Sequence, residues 1–174
     1  MINTILHKKA SLILFIFNMI LLLTGWVMTS YAFTRLPAAI PLWLPFSGQP
    51  AIFFKKSFLF FIYPSAQTLF FVVFLLMAHI FINRENPPAL YKEASLETQK
   101  KILLLEKEFV LLVLIFFNLV FIHIQRSLIL LAHGLETGIS PLYFYSLFGI
   151  ILLLIPYFQM RRKTILMVSD NDMP

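Results

Sequence analysis

The sequence predicts an all-α integral membrane fold: four transmembrane helices in an up-down bundle, with a Pro-rich extracytoplasmic loop between helices 1 and 2. Three observations predict it. The chain is 60% hydrophobic and 13% charged, whereas soluble domains run at roughly 45–50% and about 25%. The apolar residues fall into four runs, each near the roughly 20 helical residues that cross a hydrocarbon core. Between the first two runs lies RLPAAIPLWLPFSGQPAIFFKK, residues 35–56. It is apolar, but Pro37, Pro41, Pro45, Pro50 and Gly48 deny it a simple helix. At 174 residues and a mean hydropathy of +0.86, a soluble fold has too little interior to hide this apolar surface.

The spans are expected at about 10–32, 57–82, 103–126 and 141–160, within one membrane domain of residues 1–163. Residues 164–174 are expected to form a flexible cytoplasmic tail. The first run carries no charge between Ala10 and Tyr31. Its polar residues Asn18, Thr24, Thr29 and Ser30 should face other helices, because hydrocarbon offers them no partner. The basic start and Ser30-Tyr31-Ala32 also fit a signal peptide, but the apolar run exceeds the about 7–15 residues of such segments. The expectation is an uncleaved helix. In the second run, Pro64 should kink the helix or delay its start. Pro87-Pro88 end that run.

Ser95 is placed to cap the third helix, and Glu97 and Lys101 form an i,i+4 pair on it. With no break signal from about Leu96 to about Ala132, this helix would be about 55 Å long, so its first turns should project into water as a charged stalk. Gly134 and Gly138 mark the following turn. Ser140-Pro141 reads as the start of the fourth helix, with Pro156 bending its last turn and Arg161-Arg162-Lys163 stopping it.

Lys and Arg set the orientation. Ten of the fourteen lie in the N-terminal, central and C-terminal polar segments; four (Arg35, Lys55, Lys56 and Arg126) lie on the other side. Both termini are therefore expected in the cytoplasm, in the cell membrane. The net charge of +6 is read as basic flanks facing anionic lipid. Nucleic acid is not an expected partner. The lipid bilayer is one, with a peptide or another membrane protein as further possibilities.

Leu36-Pro37-x-x-Ile40-Pro41, then Gly48 and Lys56, resembles the loop signature of a bacterial membrane domain of unknown function found at the N-terminus of SdpI-type immunity proteins. The helix before the loop, Tyr63-Pro64, the charged stalk and Gln125-Arg126 are similar to that family as well. Trp43 stands where the family has His, Pro45 where it often has Asn, and Ala51-Ile52 where it often has Asp-Gly. The resemblance implies a membrane fold and a structural role for Leu36, Pro37, Ile40, Pro41, Gly48 and Lys56.

The chain has no cysteine, which excludes disulfides and thiolate chemistry. Neither a metal site, a cofactor site nor a catalytic constellation is expected, and the protein is read as a non-enzyme. Glu106 and Glu108 read as a solvated interface helix. His123, Arg126 and Trp43 are the candidates for polar contacts at an outer site. The leading function is a non-enzymatic binding or sensing protein, with a toxin-immunity-like role among the options; the rival is an accessory subunit of a membrane complex. The orientation is directly testable in this cysteine-free chain. A cysteine at Ser47 should react with an impermeant thiol reagent on intact cells, and one at the start of the third helix only after permeabilisation. The opposite pattern would invert the assignment.

Overall fold

A computed structural model describes residues 2–45, 52–82, 95–136 and 141–171. They form α1 (Ile2–Arg35), β1 (Ala39–Pro41), β2 (Phe53–Lys55), a 3-10 turn (Phe58–Phe61), α2 (Ile62–Ile82), α3 (Leu96–Ala132) and α4 (Pro141–Asn171). The four α-helices are each long and apolar enough to cross a membrane. The protein is thus mainly helical and of multi-pass membrane type.

α3 is the central helix, packing against α1, α2, α4 and β1. Its contacts set the directions of the others. Asn18 and Thr29 of α1 meet α3 at Leu111 and Gln125, so α1 and α3 run parallel. Phe70 and Phe74 of α2 meet Phe121 and Phe117 with tilted rings, so α2 runs the other way. α4 is also antiparallel to α3, from Tyr143 on His123 to Phe158 on Phe109.

Local signals account for the helix ends. The Ser95 hydroxyl accepts the Thr98 N–H at 3.3 Å, and Glu97 meets Lys101 at 3.0 Å. At the other end Gly134 takes φ +70°, which glycine adopts without steric cost. Its N–H bonds the Leu131 carbonyl and the Leu135 N–H bonds the Leu130 carbonyl, closing α3 in a Schellman motif. Pro64 marks the start of α2, directly after the 3-10 turn. It is the third residue of the helix, where its missing N–H has no intrahelical partner to lose.

The segment expected as a loop contains a small antiparallel hairpin, in which Ala39, Ile40 and Pro41 pair with Lys55, Phe54 and Phe53. It caps one end of the bundle. Ile40 is fully buried with Leu36, Phe60, Leu128 and Ala132. Lys56 reaches back to the Leu36 carbonyl at 3.0 Å and lies over the Phe33 ring, a cation set against the C-terminal end of α1. The Tyr63 hydroxyl donates to the Leu42 carbonyl. Of the family-like positions, Leu36, Ile40, Pro41 and Lys56 build this cap, Pro37 is exposed, and Gly48 lies outside the described residues, as does Phe46.

Two expectations are corrected. α4 continues through Arg161-Arg162-Lys163 to Asn171, so residues 164–171 are helix and Pro156 lies well inside it. The basic residues do not stop the helix because α3 offers them acids. Arg161 approaches Glu108 at 3.9 Å, and Arg162 lies beside Glu106. Glu108 is accordingly buried rather than solvated.

The cap makes a clear stability prediction. Ile40→Ala should cost about 2–5 kcal/mol, read as a lower melting temperature in detergent. Trp43→Ala should cost no more than about 1.5 kcal/mol, because its ring meets only an edge of Phe54. A larger loss at Trp43 than at Ile40 would contradict this packing.

Candidate functional site

Two features stand out: a polar chain inside the bundle and a cleft at its hairpin end. The polar chain joins α1, α2 and α3. Thr29 donates to Gln125 Oε1 at 2.8 Å. Gln125 Nε2 donates to Gln67 Oε1, Gln67 Nε2 to Asn118 Oδ1, and Asn118 Nδ2 to Asn18 Oδ1, each at 2.9 Å. Asn18 Nδ2 ends the chain on the Leu111 and Leu14 carbonyls. All five side chains are buried.

The direction of the chain is set at its Asn18 end, since the Thr29 hydroxyl at the other end can donate or accept. Carbonyls can only accept, so Asn18 must present its NH2 to Leu111 and Leu14. Each amide then passes the same orientation to the next. Asn18, Gln67, Asn118 and Gln125 all lie within apolar runs, where a lone amide has no partner and unsatisfied burial costs about 1–3 kcal/mol per group. Pairing them across helices removes that cost and fixes the register of three helices together.

Gly25 permits the approach. A Cβ there would stand 2.3 Å from Gln67 Oε1 and 3.3 Å from both Gln125 side-chain heteroatoms. Of the polar residues expected to face other helices, Asn18 and Thr29 do so. Thr24 and Ser30 are exposed, and Thr24 bonds its own helix at Ile20. Thr68 returns to the Pro64 carbonyl at 2.8 Å and accepts the Trp26 indole N–H at 2.9 Å.

The cleft lies between the hairpin-side ends of α1 and α3 and has a volume of about 240 Å³. It is lined by Met28, Tyr31 and Arg35 of α1 and by Arg126, Ile129 and His133 of α3, and its walls are almost wholly apolar. The Arg35 guanidinium sits 4.2 Å from the Tyr31 ring centroid. Arg126 keeps 57% of its side chain exposed and has Glu136 at 3.7 Å.

The candidates His123, Arg126 and Trp43 do not form one site. His123 is buried, stacked at 3.8 Å on Tyr143 of α4, and its Nε2 has no hydrogen-bond partner. Arg126, one turn away, faces the cleft. Trp43 is 48% exposed beside the hairpin and meets Phe54 edge-on at 5.1 Å. His133 Nδ1 lies 2.8 Å from the Ile129 carbonyl, which leaves Glu136 to Arg126. Among the described residues no three metal-ligating side chains cluster. The site residues that sequence reasoning passes over are Asn118, Gly25 and Arg35. Asn118 carries a usable signal, an amide inside an apolar run.

No family model, curated protein or solved structure matches the chain.

A mutant cycle tests the polar chain. Gly25→Ala improves helix propensity by about 1 kcal/mol in a simple helix, but here the clash of a Cβ only 2.3 Å from Gln67 Oε1 outweighs it. Gly25→Ala and Gln67→Ala should each lower the melting temperature, by the equivalent of roughly 1–3 kcal/mol. In the Gln67→Ala background, Gly25→Ala should add less than about 0.5 kcal/mol. Full additivity would mean the glycine and the glutamine do not share a space.

Proposed function

We propose that the protein is a non-enzymatic binding or sensing protein of the cytoplasmic membrane, with both termini in the cytoplasm and the hairpin on the outer side. One observation carries this reading: an aromatic surface stays exposed on an anchored frame. Trp43, Phe53 and Phe54 are 48%, 48% and 36% exposed. Phe53 and Phe54 lie on β2 and Trp43 two residues beyond β1, in a hairpin tied down by buried Ile40, by Lys56 on Leu36 and by Tyr63 on Leu42. Rigid aromatic side chains bind with little loss of conformational freedom.

The occupant that fits is an apolar or amphipathic peptide arriving at the membrane surface. The ten-to-four division of Lys and Arg supports the orientation. The resemblance of the loop to that of SdpI-type immunity proteins supports a toxin-immunity-like role. Replacement of the family His by Trp43 fits packing against a peptide better than metal chemistry.

A specific observation favours a second reading, that of an accessory subunit. α4 buries little beyond Leu147, while Leu142, Tyr145, Phe148, Leu153 and Met160 are exposed. Lipid or a partner helix would cover them. A defined large complex in mild detergent would favour the subunit; a small species would favour the binding protein.

Trp43 is also the reporter. The chain has two tryptophans, so Trp26→Phe leaves Trp43 as the sole emitter. In nanodiscs, a panel of amphipathic membrane-active peptides should include members that shift its emission to the blue saturably. Phe54→Ala should weaken that response. If every peptide gives only the linear response of bare nanodiscs, the binding reading fails.

A further inference from the structure

We infer that the cleft between α1 and α3 is a binding site for the headgroup of an anionic phospholipid. The inference stands apart from the hairpin surface and holds for either orientation in the membrane.

Charge is the first argument. Of the chain's eight acidic residues, Glu136 alone falls in the segments that build this end of the bundle, which also hold Arg35, Lys55, Lys56 and Arg126. Glu136 stands 3.7 Å from Arg126, which remains more than half exposed. Arg35 has an aromatic face rather than a carboxylate beside it. Two guanidiniums on opposite sides of one cleft suit a phosphate group, which each can engage through two N–H donors.

Size is the second argument. At about 240 Å³ the cleft is smaller than the roughly 300–1,000 Å³ of pockets that enclose a drug-sized ligand. Its walls are almost wholly apolar, so the two guanidiniums act at its rim, where a headgroup fits with its chains outside.

The surface beside it is the third argument. Tyr31, Val27, Leu23, Ile20 and Ile16 are 50–63% exposed and recur at spacings of four, four, three and four residues. They form one apolar stripe along α1 that ends at the cleft. Tyr31 belongs at headgroup depth, where amphipathic rings concentrate. Arg35, one turn further, ends the helix. A phosphate between Arg35 and Arg126 would therefore leave its acyl chain on the stripe, with Met28 and Ile129 beneath the headgroup.

The test uses the full-length protein purified in a neutral detergent, with phosphatidylglycerol or phosphatidylcholine of identical acyl chains added. Lipid retention is read by native mass spectrometry and by melting temperature. Phosphatidylglycerol should be retained about tenfold more than phosphatidylcholine, since each basic residue at a membrane surface contributes measurably to anionic lipid attraction. Combining Arg35→Gln with Arg126→Gln should abolish the preference. Lys55→Gln, which removes a charge at the same end outside the cleft, should preserve it. Met28→Trp, which fills the cleft without changing charge, should weaken it even if the double variant does not fold. Equal retention of the two lipids would overturn the inference. So would a loss with Lys55→Gln as large as that of the double variant, or a shift with inorganic phosphate alone that matches phosphatidylglycerol.

Discussion

Four side-chain amides with no solvent to satisfy them set the terms for this fold. In water, Asn18, Gln67, Asn118 and Gln125 would each find partners on any exposed helix face. In an apolar bundle they find them only in one another. Their bonds, 2.9 Å apiece, hold at one relative height of α1, α2 and α3. Sliding any of these helices by one turn, about 5.4 Å, would break at least two links. Apolar packing alone specifies helix register weakly in lipid, because the tails are as apolar as the side chains. The amides provide the missing specificity, and Gly25 allows α1 close enough to share it.

Features at both ends of the bundle follow from that register. At the hairpin end, parallel α1 and α3 bring Ala32 and Leu36 beside Leu128 and Ala132, which makes the seat for Ile40. The same alignment sets Arg35 opposite Arg126 across the cleft. At the far end, α4 is held differently. The ion pair of Arg161 with Glu108 and the ring contact of Phe158 with Phe109 fasten it to α3 alone. Glu108 is buried while Arg161 stays partly exposed, and α4 is the least enclosed of the four helices.

Much of the helical plan was legible in the sequence because it rests on local rules. The Ser95 cap, the Glu97–Lys101 pair and the Gly134 stop each depend on residues within a few positions of one another. Ile40 was legible as an anchor because an apolar residue between two prolines has little use in water. The hairpin was not, since strands of three residues, one containing Pro41, carry no alternation to detect. Glu108 and the basic residues of α4 each looked like a polar boundary when read alone. Their meaning lies in their pairing, which only the antiparallel packing of α4 on α3 reveals. The polar chain lies between these cases. Asn18 and Thr29 were legible as residues that must face other helices, but Asn118 was passed over and nothing local linked Gln67 and Gln125 to them.

The central claim is that the amides form one continuous buried chain. Its most direct test is NMR of the side-chain NH2 groups of Asn18, Gln67, Asn118 and Gln125 in isotopically labelled protein in micelles. The account predicts four slowly exchanging NH2 pairs, together with a loss of protection at Gln125, whose NH2 donates to Gln67, when Gln67 is replaced by Leu. Rapid exchange of all four in the native protein, or protection at Gln125 that survives Gln67→Leu, would contradict it.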